Sequence, residues 1–271
     1  MSSDKSRSVT AVGFCEESDE AAMRRVNDEL GQMAHAAQAL GARERLALAC
    51  RLLTDEGHGR SLAGQVTVRA EETGTFWTNS FRSGLAGAQA SSIVRINDEM
   101  RVVEGSGTPN PGVRFHLCIY DKRPELQSIV HTHPPFASAL SMAGEALVVA
   151  HMDATMFYDD CAYLAEWPGV PIANEEGRII SEALGAKRSI LLAHHGMLTT
   201  GRSLDEALYL AIHLERACEL HLRARSLGPI KPIAHDLAVN AHSFMTKPGM
   251  IASTVDYWLR QARARHGDAL N

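Results

Sequence analysis

Ser128-Ile129-Val130-His131-Thr132-His133-Pro134-Pro135 is the stretch on which the reading of this chain turns. Leu126 to Val130 is a short, largely apolar, partly β-branched run, the pattern of a buried strand. Side chains on a strand alternate between faces, so His131 and His133 share one, about 7 Å apart along the strand at the usual rise. Two imidazoles so placed can hold one cation between them. The two prolines stop the strand and leave the pair at an exposed end. Farther along, Ser189 to Ala193 is a second apolar strand, and it closes on His194-His195-Gly196. Neighbours on a strand face opposite ways, so at most one of these two can join the first pair. Three imidazoles at strand ends match an open catalytic metal site. A histidine alone is commonly structural, and the chain has 13 of them. The weight therefore rests on two clusters that each end a buried strand.

Composition narrows the classes. With 271 residues the chain can bury a full core as one large domain or two small ones. A net charge of −5 gives no basic footprint, which argues against nucleic acid as a partner. No apolar run approaches the roughly 20 residues that span a bilayer, and the polar start Met1-Ser2-Ser3-Asp4 lacks the apolar middle of a secretory signal. Five scattered cysteines without a C-x-x-C pattern indicate neither a disulfide framework nor a thiolate zinc site. The expectation is a cytoplasmic protein with no membrane partner.

Three parts are expected: a flexible tail over residues 1–18, a main domain over 19–230 and a C-terminal extension over 231–271. In the main domain, helical spacing covers Asp19 to Ala39 and Ala42 to Leu53. Gln65 to Arg69 and Gly74 to Asn79 read as an antiparallel pair, followed by a Gly/Ser/Ala-rich loop over Ser80 to Ser92. Ile93 to Ile96, Met100 to Glu104 and Ala146 to Ala150 read as further strands. Val113 to Lys122, Pro135 to Ala143 and a helix capped by Asn174 and running from Glu175 to Leu184 are expected next. Ser203-Leu204-Asp205-Glu206 is a capping box opening the longest helix, to about Arg225, with His213 and His221 expected to be exposed or interface groups rather than ligands. One short helix, around Val255 to Arg263, is expected in the tail. Helices interleaved with strands point to an α/β domain around a central sheet.

Val113-Arg114-Phe115-His116, Tyr120, Arg123-Pro124, Ile129-Val130-His131-Thr132-His133, and His195-Gly196 before a long Leu/Ala/Glu helix carry a family likeness, as does Ala63-Gly64-Gln65-Val66-Thr67-Val68-Arg69 upstream. In order and spacing the chain resembles the class II aldolase/adducin family over roughly residues 42 to 227, and its adducin-like branch more than the sugar-phosphate aldolases. The resemblance implies a three-layer α/β/α sandwich with a largely antiparallel central sheet. It also implies a homotetramer with sites at subunit interfaces, a small-molecule substrate, and a divalent metal, zinc first, with manganese or iron as alternatives. Matched residue by residue, the metal ligands are His131, His133 and His195, with His194 turned into the sheet or behind the ligands.

Two departures shape the functional expectation. Where the aldolases place an acid/base residue four before the position of His116, this chain has Gly112. Asn110 and Pro111 stand where they present serines to phosphate, and Leu62 and Gln65 replace further polar groups. The aldolases' catalytic tyrosine falls near Met152, with Tyr158 the nearest phenol. His116, one turn past Gly112, is the candidate catalytic replacement, and Tyr158 the candidate acid. Arg82, Asn110 and, less specifically, Arg114 are candidates for substrate binding. The expected activity is a metal-dependent carbon–carbon lyase, aldolase or decarboxylase, acting on an unphosphorylated hydroxy or keto acid. The alternatives are an iron(II) oxygenase on the same scaffold and a non-catalytic assembly module of the adducin kind.

Overall fold

The computed structural model describes residues 18–33, 40–170 and 173–271. Most of the expected tail and the end of the first expected helix, 34–39, lie outside the described residues. The strands are β1 (Gln65–Arg69), β2 (Thr75–Asn79), β3 (Ile93–Asn97), β4 (Val102–Glu104), β5 (Ser128–Thr132), β6 (Cys161–Leu164), β7 (Ser189–Leu192) and β8 (Gly196–Gly201). They form one sheet in the order β4-β3-β2-β1-β5-β8-β7-β6. β6 and β7 run parallel and the other neighbours antiparallel, so the sheet is mixed. The histidine-bearing β5 is central, between β1 and β8.

Alternation along these strands fills two separate cores. Trp77, Val130, Leu191 and Met197 point to one face, and Phe76, Ile129, Ile190 and Leu198 to the other. The helices are α1 (Asp19–Met33), α2 (Ala42–Asp55), α3 (Val113–Lys122), α4 (Pro135–Met142), α5 (Asn174–Leu184), α6 (Leu204–Arg225), α7 (His235–Met245) and α8 (Pro248–Arg265). α2, α4, α6 and α8 supply the first core, and α3 and α5 the second. α6 starts as its capping box predicts: Ser203 Oγ accepts the Glu206 N–H at 3.1 Å. The Glu206 carboxylate turns back to accept the Arg202 N–H at 2.6 Å.

Several expectations are corrected. Ala146 to Ala150 is not a strand. Its backbone bonds leave the sheet, the Val148 N–H going to His221 Nδ1 (3.3 Å) and the Val149 carbonyl accepting from Ile233 (3.0 Å). His221 is accordingly buried rather than exposed. Ala173, not Asn174, is the residue that precedes α5. The single short helix expected near the C-terminus is two, α7 and α8, and Val255, Leu259 and Ala262 of α8 enter the same core as Leu52. No helix among the described residues is long and apolar enough to cross a membrane.

Candidate metal centre and its pocket

β5 places His131 opposite Gln65 of β1 and Leu198 of β8. The His131 ring is almost wholly buried, and its Nδ1–H donates to the Met197 carbonyl at 2.8 Å. A carbonyl can only accept, so this bond fixes the tautomer and leaves the Nε2 lone pair free. Two residues on, His133 Nε2 lies 3.0 Å from His131 Nε2. Beyond it the chain enters α4, whose Phe136 and Ala137 N–H groups donate at 2.9 and 2.7 Å to the buried Glu215 carboxylate of α6. That anchor holds the turn behind His133.

His195 arrives on the three-residue loop between β7 and β8. His194 adopts a left-handed backbone (φ +57°) and its side chain is exposed, neither in the sheet nor behind the ligands as expected. This twist carries His195 back over the site, with its N–H donated to the Leu192 carbonyl at 3.1 Å. Gly196 follows because no Cβ fits there: it would stand 2.6 Å from the Thr132 carbonyl oxygen and 2.8 Å from His133 Cδ2. The three rings converge, with centroids 4.6 to 4.9 Å apart. One nitrogen of each lies within 4.8 Å of the other two.

The electrostatics suit a cation in search of lone pairs. Burial pulls all three imidazoles below their ordinary range, His195 to about 4 and His131 well down, with the neighbouring rings adding to the effect on both. All are neutral at neutral pH, the form in which imidazole ligates. The donor set, the fixed tautomer and the convergence together fit a divalent metal held by His131, His133 and His195.

The triad opens into a cavity of about 560 Å³ lined also by Gln65, Phe81, Asn110, Gly112, Phe115, Leu62 and Val170. Among the described lining residues none is Lys, Arg, Asp or Glu. Asn110 lines the cavity, with its carboxamide engaged locally, accepting from the Gly112 N–H at 2.9 Å and donating to the Leu62 carbonyl at 3.4 Å. Arg82 is exposed and, like Arg114, does not line it. His116 is fully buried beneath the cavity, its Nδ1 2.9 Å from Thr67 Oγ1 and its ring edge-on to Phe115. Burial pulls its pKa down to about 3, so its position is not that of a base open to substrate. Tyr158 is also apart from the triad within this chain, with its hydroxyl 2.8 Å from His235 Nδ1 beside a separate cavity.

Gln65, noted in the sequence only as standing at a position where the aldolases present a polar group, lies against Gly112. A Cβ on Gly112 would lie 2.6 Å from Gln65 Nε2, so the glutamine amide fills the space into which a side chain at position 112 would project. Its place on β1 was legible from the sequence, but the pairing of β1 with β5, which brings it to the triad, was not.

Known proteins support the same region. A family model described as Class II Aldolase and Adducin N-terminal domain matches residues 44–222. A Streptomyces roseochromogenus protein named 4-hydroxy-3-prenylphenylpyruvate oxygenase/4-hydroxy-3-prenylbenzoate synthase is 29% identical over 65% of this chain and 65% of its own length. Decarboxylase NovR of Streptomyces niveus is 29% identical over 65% of this chain and 67% of its own. The chain thus spans about two thirds of each of these relatives. The solved L-fuculose 1-phosphate aldolase of Glaciozyma antarctica superposes with a TM-score of 0.79 at 27% identity, covering 89% of this chain and 99% of that one.

Proposed function

The chain belongs to the class II aldolase and adducin family, and from that premise we propose that it is a divalent-metal-dependent carbon–carbon lyase acting on an unphosphorylated hydroxy or keto acid. The observation that carries the reading is the convergence of three neutral imidazoles in a cavity whose described lining residues carry no Lys, Arg, Asp or Glu. When bound there, a divalent cation, zinc first, supplies a Lewis acid for the electron pair released as the carbon–carbon bond breaks.

The chain's own residues do the rest. Phe115 and the buried His131 close the floor against water. Gln65 presents a neutral amide, which can orient a carboxylate or carbonyl oxygen but can take no proton at neutral pH. Aldol cleavage needs a base for the substrate hydroxyl. With Gly112 where an acid/base residue is expected, and no carboxylate among the described lining residues, decarboxylation is the favoured branch: from a 3-oxo acid carbon dioxide leaves without an initial proton abstraction, the electron pair of the broken bond passes towards the carbonyl oxygen, and water supplies the proton that takes the place of carbon dioxide. Tyr158 belongs to the proposal only as a group reaching the site of an adjacent subunit of a homotetramer.

The test is elemental analysis of protein purified without chelator, then carbon dioxide release from a set of 2-oxo, 3-oxo and 2-hydroxy acids with and without metal. Stoichiometric metal and chelator-sensitive release are expected. Absence of metal, or activity indifferent to chelation, overturns the reading. A second reading, an iron(II) oxygenase, is favoured by the name of the Streptomyces roseochromogenus relative and by a donor set that also suits iron. Oxygen consumption with the same acids separates the two. The adducin-like assembly module predicts no metal and no turnover.

A further inference from the structure

His58, just past the end of α2, is a buried histidine with no part in the site as described so far. Its place is fixed by the way that helix ends. Gly57 takes a left-handed backbone (φ +89°), its N–H donates to the Thr54 carbonyl at 3.0 Å, and the His58 N–H donates to the Leu53 carbonyl at 2.8 Å. These two bonds close the helix in the Schellman manner and hold the ring in place. The His58 Nδ1 lies 2.7 Å from Thr132 Oγ1. Its Nε2 is sealed from solvent and has no partner among the described residues. Burial, with the charge of Arg216 adding to it, pulls the pKa of His58 down to about 3, so the ring is neutral and offers a hydrogen bond, not a charge.

Thr132 is the point at which the ligand-bearing segments meet. It separates His131 from His133, and strand alternation turns its side chain away from theirs, to the face of Val130 that α2 covers. Its carbonyl oxygen is the atom against which Gly196, the residue after His195, sits with no room for a Cβ. The end of α2 also comes up against the chain beyond His133: a Cβ on Gly57 would lie 3.9 Å from Pro135 Cδ. Gly57 and His58 thus stand against the chain on both sides of His133. An imidazole with one nitrogen stranded is a poor filler for an apolar core, since an unpaired buried polar atom is destabilising and hydrocarbon of similar size is not. What this ring supplies is the bond to Thr132.

We propose that His58 is a positioning residue for the metal centre. From the face opposite the ligands it holds Thr132. Through the Thr132 backbone it fixes the spacing of His131 and His133 and the seat of the loop that carries His195. It touches neither metal nor substrate. The proposal rests on the lyase reading above only in taking the three rings as a metal-binding set.

The experiment compares the full chain with His58→Leu, Thr132→Val, the double variant and His58→Asn. Zinc affinity is read by chelator competition, ligand geometry by visible absorption of the cobalt(II)-loaded protein, and stability by thermal melts without metal. Replacing both partners by hydrocarbon removes the bond without stranding either group, so the double variant is expected to melt as the parent does. Its zinc affinity should nevertheless fall on the order of ten- to a hundred-fold, the range for groups that orient metal ligands, with altered cobalt bands. Each single variant should lose about as much, since both break the same bond. His58→Asn, which keeps a polar atom at the Nδ1 position, should recover most of the loss. Should His58→Leu fail to fold, Thr132→Val and His58→Asn carry the same comparison. Parent affinity and parent cobalt bands in the double variant overturn the proposal and leave the lyase reading standing. So does a loss of affinity that tracks the melting temperature and that His58→Asn does not recover. A parent protein that takes up no zinc overturns both.

Discussion

The Met197 carbonyl accepts the His131 Nδ1–H at 2.8 Å, and it does so because β5 and β8 pair with His131 opposite Leu198. One backbone carbonyl of β8 thus sets which imidazole nitrogen faces the centre. Metal-ligating histidines commonly depend on such a partner for ring orientation and basicity.

A proton count follows from the depressed imidazoles. His195 at about 4 and His131, well below its ordinary value, are neutral at pH 6, where free histidine is largely protonated, and burial lowers His133 in the same direction. Zinc binding at pH 6 is expected to release fewer than about one proton, read by calorimetry in two buffers of different ionisation enthalpy. The sign for stability is the same. The unfolded chain takes up protons below about 6.5 that the folded, metal-free triad refuses. Its stability should therefore fall between about pH 6.5 and 4. Release of two or more protons at pH 6 contradicts the neutral triad.

Gly196 has no room for a methyl group between the Thr132 carbonyl and the His133 ring. Gly196→Ala should cost about 1 to 3 kcal/mol of stability through overpacking. It should also weaken metal binding by on the order of ten- to a hundred-fold through displacement of His133. Chemical denaturation and chelator competition read the two effects separately.

Glu215 accepts two backbone N–H groups at the start of α4, directly after His133-Pro134-Pro135. Glu215→Ala strands two buried amides and should cost about 2 to 4 kcal/mol. Glu215→Gln keeps one acceptor and should cost roughly half as much. A thermal melt distinguishes them, and equal behaviour of both variants contradicts the capping role.

Arg188 is held between Asp160 and Glu206, with Asp160 Oδ1 also accepting the Arg188 backbone N–H at 2.7 Å and the Glu206 carboxylate 2.8 Å from the guanidinium. Burial alone raises the Asp160 carboxyl, but bonding from His242 and the charge and bonds of Arg188 outweigh it and hold it below the ordinary value. Its contribution is therefore complete above the ordinary carboxylate range and is lost as pH falls below about 4. Asp160→Asn should cost about 3 kcal/mol at pH 7, because Arg188 loses its closest counter-charge in a half-buried setting. At pH 3 the gap between variant and parent should shrink, as urea midpoints would show.

Much of this molecule is legible in its residues, and the illegible part has a common cause. α3 runs from Val113 to Lys122 as its periodicity predicts, and β1 spans Gln65–Arg69 as expected, because each is decided by local pattern. Alternation put His131 and His133 together and left His194 and His195 as alternatives; the family likeness chose His195, and the three rings do converge. What was missed depends on long-range pairing. β8, Gly196–Gly201, mixes Gly and Thr into its run and gave no strand signal, yet it supplies the carbonyl behind His131. Ala146 to Ala150 carried the strand signal and is not one, since Leu147 and Val149 pack against the first core from outside the sheet. Gly112 looked like a loss; the glutamine amide across from it, which takes up the space, becomes visible only once β1 lies beside β5.

Metal content after single replacement of His131, His133 and His195 by alanine bears most directly on the account. Parent protein should hold one equivalent of divalent cation through gel filtration, while each variant should fall below about a tenth of an equivalent with its circular dichroism unchanged. Retention of a full equivalent by all three variants would contradict a centre built from these three rings.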